Sequence, residues 1–145
     1  MKVKVEGLRD VERALKQLPR ATAKASARRI LKEAGEPIAR AGAANAPQQH
    51  GDLAESYGVG TKLTKRQRKV SRRESDVEVY VGPNDPGAVQ TEFGNDHQSA
   101  QPHLRPAWDG HRMGALETIK SGIWGEVTKT IARYQKRMAK KGAKQ

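Results

Sequence analysis

The feature that most constrains this chain is an apolar stripe near its C-terminal end. Leu116, Ile119, Ile123, Val127, Ile131, Tyr134 and Met138 recur every three or four residues, which is the spacing of one helix face. Such a face has to be covered, and the chain has little to cover it with. Only 35% of its 145 residues are hydrophobic and 4% aromatic. A single domain over residues 1–145 is the expectation at this length, burying roughly 70% of the unfolded surface. Its core has to come from Ala, Val, Leu and Ile. Pro106 suits the first turn of the long helix, where a missing N–H costs nothing. Gly114, Gly122 and Gly125 each weaken that helix by roughly 1 kcal/mol relative to Ala, so its first half must lean on tertiary contacts.

The rest of the chain divides into recognisable pieces. Val3 and Val5 alternate with Lys2 and Lys4, as in a short strand with one buried face. After Gly7, Leu8, Val11, Leu15 and Leu18 keep helical spacing until Pro19. A second helix is expected from about Ala21 to Ala44, Ala-rich and kinked at Gly35 and Pro37, because proline removes a donor and clashes with the preceding turn. Tyr57, Val59, Thr61 and Leu63 then share one strand face, with Gly58 and Gly60 suggesting a bulge or bend. Val77, Val79 and Val81 share a face of a second strand. Pairing the two gives a β-hairpin arm with residues 62–76 as its basic loop. The fold class is therefore α+β: a small antiparallel sheet packed against a kinked N-terminal helix and a long C-terminal helix.

Charge is distributed unevenly. The chain carries 28 Lys and Arg against 16 Asp and Glu, a formal net charge of +12. Residues 62–73 hold seven bases and no acid, and residues 129–145 hold another seven and no acid. The remainder is nearly neutral, so two short tracts own the whole excess. They are Lys62, Lys65, Arg66, Arg68, Lys69, Arg72 and Arg73, and a C-terminal set that includes Lys136, Arg137, Lys140 and Lys141. Residues 139–145 read as a flexible basic tail. Such tracts attract polyanions or acidic protein surfaces, or simply keep a chain soluble.

Several chemistries are excluded or unsupported. There is no Cys, hence no disulfide, thiolate zinc site or cysteine nucleophile. No apolar run approaches the roughly 20 residues of a membrane helix, and MKVKVEGL lacks the apolar stretch of a secretory signal. Phosphate-cradling glycine loops, nucleophile elbows and zinc-protease helices are missing. No catalytic residue, metal or cofactor is expected. His50, His97, His103 and His111 lie in or near predicted loops, without helical metal-ligand spacing. Asp52, Glu55, Glu92 and Asp96 suit salt bridges or capping better than acid–base work. Tyr134 is the sole aromatic residue in either basic tract, which argues against base stacking and leaves attraction to phosphate backbones.

Taken in order, a GL-plus-helix start, an Ala-rich helix containing EPI, HGDLAESYGVG, VEVYVGP, TEFG, PHLRPAW and a long helix resemble one family. It is the tailed-phage family of head–tail joining proteins that includes the lambdoid tail completion (minor tail Z-type) proteins. Gly51, Leu53 and Ser56 match its G-x-L-x-x-S stretch. Glu92, Phe93 and Gly94, then Pro102, Leu104, Arg105, Pro106 and Ala107, are the most specific parts. His50 stands where Thr is usual, Ala54 where a base is common, and His103 where Phe is frequent.

The resemblance implies a non-enzymatic virion protein of the neck, assembled in the bacterial cytoplasm. It implies a self-assembled ring, six-fold by expectation, between the tail (tube and terminator) and the head connector (stopper), around genomic DNA and away from membranes. The motif residues would hold the fold or form a subunit boundary. Phe93 is expected in the core, and Arg105 is expected to pair with Glu92. The rival reading is a non-viral, sequence-independent nucleic-acid-binding protein using the two tracts. A third, an RNA-directed nuclease, would need His50, His97 or His103 as a base.

Overall fold

A computed structural model describes residues 13, 16–49 and 51–144. The expected strand at Val3 and Val5, nearly all of the first helix, and His50 lie outside the described residues. Pro19, with φ −56° and ψ 134°, leads into α1 (Arg20–Asn45), an Ala-rich helix that continues through Gly35 and Pro37 as one element. Then come α2 (Asp52–Glu55), β1 (Tyr57–Gly60), α3 (Lys65–Val70), β2 (Tyr80–Pro83), α4 (Ala88–Phe93) and the 39-residue α5 (Leu104–Gly142). The class is α+β.

β1 and β2 pair antiparallel, with Tyr57 opposite Pro83, Gly58 opposite Gly82, Val59 opposite Val81 and Gly60 opposite Tyr80. The pairing is an uninterrupted run of four, so of the bulge or bend expected at Gly58 and Gly60 the bulge does not occur. Both strands are also shorter than expected: Thr61, Leu63, Val77 and Val79 lie outside them. The reason is local. The Thr64 amide donates to Gln67 Oε1 at 3.0 Å while Thr64 Oγ1 accepts from the Gln67 amide at 3.3 Å. This capping box starts a helix where a sheet ladder would have continued. The first basic tract is therefore not a loop throughout, because α3 occupies its centre, with Arg68 and Lys69 in the last turn, where cations complement the helix dipole.

The sheet sits on α1 through missing side chains. A Cβ on Gly35 would lie 2.6 Å from Val81 Cγ2 and 3.2 Å from Val59 Cγ1, and one on Gly42 would lie 2.6 Å from Tyr57 Cζ. Tyr57, Val59 and Val81 thus face α1. The other side of the sheet is bare at Gly58 and Gly60, where an added Cβ would meet nothing within 4 Å.

α5 runs antiparallel to α1. Asn45 Nδ2 donates to the His103 carbonyl at 3.2 Å, a Cβ on Gly122 would lie 2.8 Å from Ile30 Cγ2, and Glu126 accepts from Ser26 at 3.3 Å and pairs with Arg29. Close approach at Gly122 sets the rotation of α5, and it is not the rotation the stripe implied. Ile119, Val127, Ile131 and Tyr134 are half-buried, but Leu116, Ile123 and Met138 are exposed. The buried α5 residues are Ala107 and Thr130. α5 also extends to Gly142, so the segment read as a tail is helical over residues 139–142.

Candidate functional site

Leu104 and Arg105, among the motif residues, converge on the Glu92 carboxylate together with His103. Glu92, at the end of α4, is only 5% exposed. Its Oε2 accepts from the His103 amide at 2.7 Å and the Leu104 amide at 2.9 Å, and its Oε1 accepts from the Arg105 amide at 3.0 Å. These are amides at the start of α5, which have no partner inside their own helix. No side chain of the N-cap residue, His103, supplies a cap; Glu92 does so from 11 to 13 residues upstream. Arg105 Nε donates to Glu92 Oε1 and Arg105 Nη2 to the Glu92 carbonyl, both at 3.0 Å. Burial pushes the carboxyl pKa up, but the three amides and the guanidinium outweigh it and hold it down at about 2. The expected Glu92–Arg105 pair is present.

Phe93 is not in the core. It is 62% exposed, with the Arg105 guanidinium 4.6 Å above its ring, a cation–π contact at the surface. An α4 of six residues can turn only one side inward, and Ala88 and Glu92, four apart, take it. Gly94 closes α4 at φ +76°, where a Cβ would also lie 2.7 Å from the Ala100 amide nitrogen. Gly51 likewise has φ +75°, a conformation that glycine adopts without steric cost. Ser56 ties this end together: its hydroxyl donates to the Leu53 carbonyl at 2.8 Å and accepts from the Asp85 amide at 3.2 Å. Pro102 and Pro106 are exposed, and Leu104 is half-buried.

His103, where Phe is frequent in the resembled family, fills the most buried position of any large side chain among the described residues, at 1% exposure. Its Nδ1 hydrogen-bonds the Tyr57 hydroxyl and lies 3.5 Å from Glu92 Oε2, while its Nε2 is buried without a partner among the described residues. Burial first, then the Glu92 charge, push the Tyr57 hydroxyl pKa up. Tyr57→Phe strands a second imidazole nitrogen and should cost about 1–3 kcal/mol. Tyr57→Phe combined with His103→Phe removes both polar partners and should recover most of that loss, as chemical denaturation of the two variants would show.

The two cationic tracts lie toward one end of the α1/α5 pair. Arg20 and Lys24, at the start of α1, bind Asp76 beyond α3, and first Arg20 and then Lys24 lower its pKa. Arg28, Lys62, Arg68 and Arg73 border a common cavity of about 570 Å³. The same end of α1 meets α5 at Glu126, where Arg29 holds the carboxyl below the usual range, and residues 129–142 continue outward from there. Lys65, Arg66, Arg72, Lys136, Arg137, Lys140 and Lys141 are exposed, whereas Arg73 turns back to donate to the Ser75 and Asp76 carbonyls at 2.9 and 2.8 Å. Asp52, Glu55, Asp85 and Glu92 belong to the opposite end, beside the Asn45–His103 contact. Among the described residues, no three His, Asp or Glu side chains gather as a metal site, and no helix is long and apolar enough to cross a membrane.

The family described as "Bacteriophage HK97-gp10, putative tail-component" matches residues 9–94. The chain belongs to this HK97-gp10-like family. The match runs from before α1 to Gly94, including Gly51, Leu53, Ser56 and Glu92. It stops short of Pro102, Leu104, Arg105, Pro106, Ala107 and all of α5, so it is narrower than the nearly chain-long resemblance read from the motifs. No curated protein and no solved structure matches. The chain is a phage tail component of the structural kind, with the virion as its place. Two features of this HK97-gp10-like chain escaped the sequence reading. One is Tyr57, seen only as a strand residue. The other is the exposed apolar side of α5, where Met113 and Trp124 join Leu116 and Ile123 of the stripe.

Proposed function

We propose that this tail component completes the tail at the neck, as one subunit of a ring that joins the tail to the DNA-filled head. The gathering of both basic tracts at one end of the molecule is the observation that supports this most. A ring of such subunits, all oriented alike, presents a band of positive charge to whatever lies on that side. Six copies are the expected number. The C-terminal tract suits DNA passing through the channel. α3 suits an acidic surface on a neighbouring ring, since a lumen positive throughout would hold DNA back. A ring closed by head-to-tail contacts also supplies burial that the thin apolar core of one subunit lacks.

Light scattering coupled to gel filtration, with negative-stain imaging, tests the assembly in the presence of tail and connector proteins. A salt titration with duplex DNA tests the charge. The neck reading expects a closed ring and weak, shallow DNA binding. A solitary chain that binds duplex with a log–log slope near −6, as seven phosphate contacts at about −0.9 each require, would replace it with the nucleic-acid-binding reading.

A further inference from the structure

α5 is apolar on two sides. One side meets α1 through Gly122 and Glu126. On the adjoining flank, Met113, Leu116, Ile123 and Trp124 are 67%, 43%, 52% and 72% exposed. At 100° per residue these four fall within about a third of a turn. An amphipathic helix packed on a domain carries polar residues on its exposed sides, and a run of large apolar side chains there marks a contact surface. The run spans about 16 Å of helix.

The same molecule has a concave counterpart. A cavity of about 960 Å³ opens on the bare side of the sheet, between α3 and α4. Gly58, Gly60 and Gly82 expose backbone on its floor, and Val70, Val89 and Phe93 line its sides. Those three side chains are 90%, 67% and 62% exposed, so the cavity is apolar at its walls yet uncovered. Its four-residue strands are about 13 Å long, similar to the apolar run on α5.

We infer that a second copy of this chain covers the groove: the Met113 to Trp124 side of α5 in one subunit seats between α3 and α4 of the next. The inference rests on the ring reading and names its subunit contact. Charge selects this pairing over a two-fold one. Groove against groove would oppose two α3 helices, each with Lys65, Arg66, Arg68 and Lys69 and no acid from residue 62 to 73. α5 instead brings residues 109–124, where Asp109 and Glu117 balance Arg112 and Lys120, and so sets no net positive charge against those cations. A protruding surface that fits a recess elsewhere on the same molecule propagates head to tail and closes into a ring when the rotation allows.

Because the chain has no Cys, single thiols report contacts cleanly. Val89→Cys and Trp124→Cys each alter an exposed side chain, and circular dichroism confirms that each variant folds. The two variants, one tagged for size, are mixed at millimolar concentration, alone and with tail and connector proteins, and treated with a short bis-maleimide. The expected product is the mixed 89–124 dimer, in several-fold excess over the 89–89 and 124–124 dimers, and lost when Leu116→Asp is added to the Trp124→Cys chain. Dominant 124–124 dimers would overturn the inference in favour of paired α5 helices. Rings seen by light scattering without the mixed product would overturn it while leaving the ring reading intact. A chain that stays monomeric and uncrosslinked in both arms would overturn both.

Discussion

Glu92→Ala is expected to destabilise the fold by about 3 kcal/mol, the scale of breaking a buried, hydrogen-bonded charge pair. In a chain of this length that lowers the melting temperature by roughly 10 °C. Three amides at the start of α5 and the Arg105 guanidinium lose their acceptor together. The pH dependence has a definite sign. The carboxyl pKa falls from its ordinary 4.5 to about 2 on folding, so the unfolded chain binds the proton more tightly. The stabilisation is complete above about pH 4.5 and is lost as pH falls toward 2, amounting to about 3 kcal/mol over that window. Glu92→Gln should flatten the acid limb between pH 5 and 2 while leaving the fold in place. Thermal melts of the wild type and the Gln variant across that range provide the check, and parallel acid limbs would show that Glu92 does not carry the effect.

Gly42→Ala and Gly114→Ala are the same substitution in two long helices and should act in opposite directions. At Gly42 the new Cβ would lie 2.6 Å from Tyr57 Cζ, and the ring cannot yield freely because its hydroxyl is tied to His103. Overpacking of this kind costs about 1–3 kcal/mol, against a helix-propensity gain of about 1 kcal/mol. At Gly114 nothing lies within 4 Å, so the propensity gain stands alone and the variant should be more stable by about that amount. Denaturant midpoints for the pair measure the difference directly. Equal shifts would mean that the sheet does not rest on α1 through Gly42.

Much of the architecture is legible in residue pattern. The Ala-rich run and the spacing of apolar residues after Pro106 mark α1 and α5, and Val59 and Val81 lie where two strands pair. The Glu92–Arg105 partnership is readable because the two residues belong to short motifs with charges of opposite sign. Other features depend on information that pattern does not hold. Gly122 looks like a weak point in a helix, but it is where Ile30 enters, and that approach rotates Leu116 and Ile123 outward. Phe93 looks like an anchor because it is the chain's one Phe, but the short α4 gives its inner side to Ala88 and Glu92. Thr64 and Gln67 carry the capping-box spacing that starts α3, a local signal outweighed by the alternation of apolar residues around it.

The family match ends at Gly94, yet the carboxylate two residues earlier holds the beginning of α5. A polypeptide cut at that boundary would leave the Glu92 carboxylate with none of its amide or guanidinium donors, and Ile30 would face solvent across the space Gly122 fills. The stretch matched by the family therefore lacks, by itself, the partners that Glu92 and Ile30 have in this fold. The long helix after it is a structural completion, as indispensable to the part before it as a keystone is to the two halves of an arch.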